Sequence, residues 1–294
     1  MNLTATIFGE NIHLIQLQDF SENYTLNVKN TFKMGTENPE INLETISDIT
    51  LSQIIHQKNI ENTIILNNIS GKTESHIMQP FLEQSLVLAE ISKNLGLIRN
   101  RKGNIISIDN KKLWQDWRQW KLKRLKDVFP EEKDQLKFVN NYEQGIEKFE
   151  DSLKENLQYT LILPEIYDVV FPPNQQYSYL FSLKKFKSRL IQDAVYEYQM
   201  KLVKLEEIKD ELDVVLHAQF VNEEFIRTNY LRKIYNSTTD FTIEDYSFEI
   251  VINYKLQKST GKILYGELKL IERLHENLNY TINMTLDQIM QNNF

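Results

Sequence analysis

The amino-acid sequence predicts an α+β protein: a mainly antiparallel sheet built by strands from both ends of the chain, packed against a central helical region with one long amphipathic helix. Three observations carry this expectation. From Ala194 onward, apolar and polar residues alternate in run after run, joined by short turns, as in an antiparallel meander. Tyr24, Leu26 and Val28 alternate with Thr25, Asn27 and Lys29 near the other end. Between these regions Leu136, Val139, Tyr142, Ile146, Phe149, Leu153 and Leu157 step by three or four residues, the period of one apolar stripe on a helix.

Taken in order, residues 3–34 read as two or three strands, with Gly9-Glu10-Asn11 as a turn. Residues 41–57 carry Ile46, Ile49, Leu51, Ile54 and Ile55 in a mixed pattern that reads as helical. Thr63–Leu66 is a short strand closed by the Ser70-Gly71-Lys72 turn. Pro80 opens a helix reaching about Asn94, with Gly96 as its C-terminal cap. A hairpin follows, Leu97–Asn100 against Ile105–Ile108, turning at Arg101-Lys102-Gly103-Asn104 where the glycine supplies a positive φ. Asn110 then caps a helix over residues 111–128, stopped by Pro130, that holds all three tryptophans. Leu113, Trp117 and Trp120 share a stripe flanked by Trp114, Leu125 and Phe129, and the spacing predicts that this stripe is buried. The long amphipathic helix comes next, with Gly145 on its polar side. Residues 225–235 read as a short helix, and the strands of the final meander include 248–254, 263–271 and 279–286.

Pro164 and Pro172-Pro173 bracket residues 165–171 and mark a boundary between two halves. Residues 1–171 hold strands, the tryptophan helix and the long acidic helix, and residues 174–294 hold the meander. The simplest packing joins that meander to residues 3–34 in one continuous sheet.

Composition narrows the chemistry. With no cysteine, the chain has no disulfide framework, thiol nucleophile or thiolate metal site. Its five histidines lack ligand spacing, so neither a metal nor a cofactor is expected. No Gly-x-Ser-x-Gly elbow and no Gly-x-Gly-x-x-Gly loop is present. The N-terminus has neither a basic nor a continuous apolar segment, and no stretch is apolar over a membrane-spanning length. A cytoplasmic protein without a membrane span is therefore expected.

Charge is strongly polarised. From Arg99 to Lys126, ten Lys or Arg stand against Asp109 and Asp116 alone, in a chain of net charge −7. Residues 131–155 answer with eight acids and four lysines, where a helical hairpin would lay them alongside. The polarity and the absent catalytic signatures favour a non-enzymatic protein-binding or scaffold component of a larger assembly. Its candidate partner-binding residues are Trp114, Arg118, Lys121 and Arg124 on the basic helix, with Tyr177, Tyr179 and Phe181 in an aromatic segment. Another protein is the expected partner, and a second copy of the chain is a further candidate. The basic stretch with its interleaved aromatics also suits nucleic acid.

Two other readings have residues of their own. Glu267-Leu268-Lys269 follows apolar Ile263-Leu264-Tyr265 on one expected strand, and Asp245 stands at the entry to the preceding one. This pattern resembles the core of the PD-(D/E)xK nucleases. The resemblance implies Mg²⁺ held by Asp245 and Glu267, with Lys269 steadying the attacking water. No Pro-Asp dipeptide precedes the hairpin, and no clear helix follows to supply a further polar ligand. The third reading is a carrier of an apolar ligand, because a curved antiparallel sheet under helices is similar in strand pattern to lipoprotein-carrier-like proteins. It expects an apolar cavity between sheet and helices.

Overall fold

The structure is a computed structural model that describes residues 12–13, 15, 17–35, 40–167, 170–171, 180–231 and 246–289. In chain order the elements are β1 (Ile12–His13), β2 (Phe20–Met34), β3 (Ile41–Ile55), β4 (Asn59–Thr73), α1 (Gln79–Ile91), β5 (Asn94–Asn100) and β6 (Ile105–Ile108). Next come α2 (Asn110–Val128), α3 (Glu132–Glu147), α4 (Phe149–Glu155), α5 (Leu157–Ile162), β7 (Val170–Phe171), β8 (Leu180–Lys187), β9 (Val195–Ile208) and β10 (Glu211–Phe220). The last are α6 (Glu223–Ile226), running into a π-helical turn at Arg227–Leu231, then β11 (Ser247–Gln257), β12 (Ile263–His275) and β13 (Leu278–Gln288).

Eleven strands form one sheet in the order β6-β5-β4-β3-β2-β13-β12-β11-β10-β9-β8, and β1 pairs with β7 apart from it. Two meanders, β2 to β6 and β8 to β13, are joined by the antiparallel pairing of β13 with β2, from Leu278 opposite Met34 to Gln288 opposite Tyr24. Strands from both expected halves therefore share one sheet. The alternation read from the sequence is the alternation of burial. Tyr196, Tyr198, Met200 and Leu202 face the core on β9, as do Ile250, Ile252, Tyr254 and Leu256 on β11 and Ile282, Met284 and Leu286 on β13.

The sheet curls until its edges approach one another. Helix α4 lies against both edge strands, β6 and β8. Ser182 Oγ on β8 donates to Asn104 Oδ1 in the β5–β6 turn at 2.9 Å. Residues 163–167 pass through the gap. The Pro164 carbonyl accepts from Arg99 at 3.2 Å, and Glu165 pairs with Lys184 of β8 at 2.8 Å. Gly103 has a φ of +99°, and a Cβ there would lie 2.5 Å from the Pro164 carbonyl oxygen, so both turn and seam require glycine.

The expected central helical region with one long amphipathic helix is overturned. The sheet is the body of the molecule, and the helices over it are short. The three–four stripe of residues 136–157 is carried by three helices, broken at Lys148 and Asn156. Asn156 takes an extended ψ of 122°, and its side-chain oxygen accepts from Gln158 N at 2.8 Å, so it ends one helix and caps the next. The break turns α5 inward, where Leu161, Ile162 and Leu163 are buried and Tyr254 donates to the Thr160 carbonyl at 2.7 Å. The stripe is also rotated: Leu136 is 63% exposed and Phe138, outside it, is buried.

Residues 41–57 are not helical, and Ile41–Ile55 form β3. Ser47, Ile49, Leu51 and Gln53 face inward, whereas Ile46 and Ile54 lie exposed on the outer face. Apolar residues on both faces, with polar ones turned in, hide a period of two. Thr63–Leu66 is the middle of the fifteen-residue β4, which runs through the expected turn at Ser70-Gly71-Lys72. Gly71 stays in the strand because Leu82 of α1 sits on it; an added Cβ would lie 2.6 Å from that side chain. Gly96 belongs to β5 and does not cap α1, and Asp109, not Asn110, caps α2, accepting from Lys112 N at 3.2 Å.

Candidate functional site

Between the sheet and the helical layer lies a cavity of about 680 Å³. Its floor is built by inward-facing residues of β2 to β5, among them Leu26, Ile49, Ile64 and Leu95. Leu113 of α2 and Phe138 and Ile146 of α3 complete the apolar interior, and all seven are buried. The rim is polar: Gln84 and Ser85 on α1, Asn141 on α3, Ser152 on α4, and Asn156 at the head of α5. Gly145 opens the rim, because a Cβ there would meet no atom within 4 Å. Expected only on the polar side of a helix, Gly145 leaves room beside the cavity.

The roof is held from behind by the tryptophan helix. Trp117, Trp120 and Leu125 of α2, Ile91 of α1, and Phe138 and Ile146 of α3 make a second apolar cluster. Trp117 packs against Tyr142 with ring centroids 4.5 Å apart and edge-on to Phe138 at 6.0 Å. Its indole Nε1 donates to Glu143 at 2.9 Å, and Lys121 reaches the same carboxylate at 3.1 Å. The Trp117 hydrogen bond, then the Lys121 contact, outweigh partial burial and hold the Glu143 carboxyl below its usual range. Phe138, Tyr142, Ile146 and Leu88 belong to this cluster and also line the cavity. Burial pushes the Tyr159 phenol, also in the lining, up to about 12, and raises that of Tyr142 as well. Both stay neutral donors at ordinary pH.

The residues singled out by sequence fall in several places. Trp114 is half-buried against the second cluster. Arg118 and Arg124 are exposed on α2, with Arg124 3.8 Å from Glu90, and Lys121 is tied to Glu143. Phe181 is buried on β8 in the main core, away from that group. Tyr177 and Tyr179 lie outside the described residues. Glu267 and Lys269 share the outer face of β12, where Glu267 accepts from Asn253 at 3.2 Å. Asp245 also lies outside the described residues, and Ser247 pairs with Arg273, six residues along β12 from Glu267. Among the described residues no group of three His, Asp or Glu is placed to hold a metal.

Two further polar clusters are buried. Arg99 donates to Asn62 at 2.7 Å, to Gln53 at 3.2 Å and to the Pro164 carbonyl, and lies over the Tyr167 ring at 5.2 Å. Desolvation lowers its pKa. Glu272 accepts from Ser188, from Arg189 N at 2.9 Å and from Tyr196 at 3.0 Å; desolvation raises its pKa against those bonds. A smaller cavity of about 180 Å³, lined by aromatics of β9 to β11, has Arg227 over the Tyr246 ring at 5.8 Å, paired with Glu223 at 3.0 Å. No helix among the described residues is long and apolar enough to cross a membrane.

Fold and geometry define a curled antiparallel sheet, capped by helices, with an apolar cavity between the two layers. No family model matches the chain, and no curated protein matches it. Among solved structures it is similar to DynF from the dynemicin biosynthesis pathway of Micromonospora chersina, at 5% identity, over 97% of this chain and 88% of that one, with a TM-score of 0.21. At that score the likeness bears on neither fold nor function.

Proposed function

We propose that the chain is a binding protein for a small, largely apolar ligand held between β2–β5 and the helical layer. The supporting observation is the cavity of about 680 Å³ with a buried aliphatic and aromatic interior and a polar rim. Its size falls in the range of small-molecule sites, roughly 300–1,000 Å³. Apolar surface left open in this way gains about 25 cal/mol per Å² when a ligand covers it. The test is saturable binding of the apolar fluorophore N-phenyl-1-naphthylamine, followed by emission. One site per chain is expected, and Gly145→Trp, which fills open space, is expected to remove it while the far-UV spectrum and melting temperature persist. Absence of saturable binding, or a folded Gly145→Trp variant that binds like the parent, overturns the proposal.

A second reading, docking of an acidic protein, is favoured by Leu122, which is 88% exposed on α2 beside Lys123 and one turn from Arg118 and Lys126. Poly-glutamate at low salt is its probe. Binding is expected and should fall with ionic strength and in Arg118→Glu/Arg124→Glu. No binding at low salt ends this reading.

A further inference from the structure

We infer that the ligand of this cavity is a single-chain amphiphile with an anionic head, seated with its tail over the apolar floor and its head at Lys93. The inference rests on the proposed function and names the chemistry of its ligand. In a chain with 41 Asp or Glu and 34 Lys or Arg, the one charged residue in the lining, among the described residues, is a lysine. Lys93 stands in the turn between α1 and β5, with its side chain exposed and in no ion pair among the described residues.

Among the described residues no carboxylate lines the cavity, and two acids of the roof helices are engaged elsewhere. Glu90 of α1 lies 3.8 Å from Arg124, and Glu150 of α4 is paired with Lys154 at 2.7 Å. A negative head at the rim therefore meets a cation and no opposing carboxylate. The rest of the rim supplies neutral hydrogen-bonding groups. The side chains of Gln84, Asn141, Ser152 and Gln158 bond to no other group of the chain among the described residues. A charged head would lose its solvation on the apolar floor, so the polarity gradient sets the ligand's direction: tail inward, head at the mouth. A cationic amphiphile would meet Lys93 with like charge, and a fully apolar ligand would leave the amide rim without purpose.

Displacement of N-phenyl-1-naphthylamine by laurate, dodecanol and dodecylamine, each below its micellar concentration, tests this directly. The three share a tail and differ only in the head. Laurate is expected to displace the fluorophore at a concentration about fivefold below that of dodecylamine, the size of one partly exposed charge pair. Lys93→Glu is expected to abolish or reverse that order and leave dodecanol unchanged, and Lys93→Arg to restore it. The turn itself is held by the backbone bond from Leu66 N to the Lys93 carbonyl at 2.7 Å, which these substitutions retain. Equal displacement by laurate and dodecylamine, or an order that Lys93→Glu does not change, overturns the anionic head while fluorophore binding keeps the cavity reading. Failure of the fluorophore to bind overturns both.

Discussion

Arg99 shows how a single side chain can be committed to structure. Its guanidinium is buried with no carboxylate partner among the described residues and is satisfied by three neutral acceptors, on Asn62, Gln53 and Pro164, and by the face of Tyr167. Those acceptors come from β4, β3 and the segment that crosses the seam between the sheet edges, so one residue ties together parts of the fold that are distant in sequence. Truncation to alanine strands all three acceptors in the buried interior. Arg99→Ala is expected to lose about 3 kcal/mol or more in urea unfolding, and Arg99→Lys to recover little of it, because an ammonium lacks the planar fork. A loss within about 1 kcal/mol would show that water replaces the guanidinium without difficulty. The burial of Arg99 has no signature in the sequence, where it is one of ten cations in a basic stretch. The burial of Trp117 and Trp120 does have one, in their spacing with Leu113.

At the scale of elements, α3 to α5 are where local pattern and tertiary structure part. The apolar spacing runs on through Lys148 and Asn156, but the chain bends at both so that α3 packs on the tryptophan helix and α5 enters the curl of the sheet. The stripe records only which residues are apolar, not which layer receives them. Asn156 as an N-cap was legible in principle, since asparagine is a preferred capping residue. Gly145 separates two roles that a helical glycine can play. Gly145→Ala is expected to stabilise the protein by up to about 1 kcal/mol, because alanine is the better helix former and its methyl meets nothing. The same variant is expected to keep fluorophore binding, in contrast to Gly145→Trp. Destabilisation in thermal melts would mean that the position is closed, not open.

The whole molecule is held by a sheet that curls on itself and buries phenols inside the curl. Tyr24, Tyr167, Tyr198 and Tyr254 all have pKa values raised, chiefly by desolvation. A group with a raised folded value holds its proton longer in the folded state. Its contribution to stability is complete below the ordinary phenol value near 10 and is lost as pH rises through the folded value. Alkaline titration is therefore expected to show most of the phenolate absorbance appearing in one cooperative step, above about pH 10 and together with loss of the sheet's far-UV signal. A gradual rise at ordinary tyrosine values with the sheet intact would contradict the burial of these rings.

What the sequence determined by itself was each residue's local allegiance. The pleat sends neighbouring side chains to opposite faces, so alternation from Ala194 onward was enough to place the C-terminal strands, and the spacing around Trp117 was enough to place α2 and its buried face. The tertiary structure alone decided that β13 pairs with β2, that the sheet curls until β6 and β8 approach, that the apolar stripe of residues 136–157 breaks twice, and that a cavity stays open beside Gly145. Each of these depends on contacts between residues far apart in the chain, and the space left between two packed layers is written in no single segment.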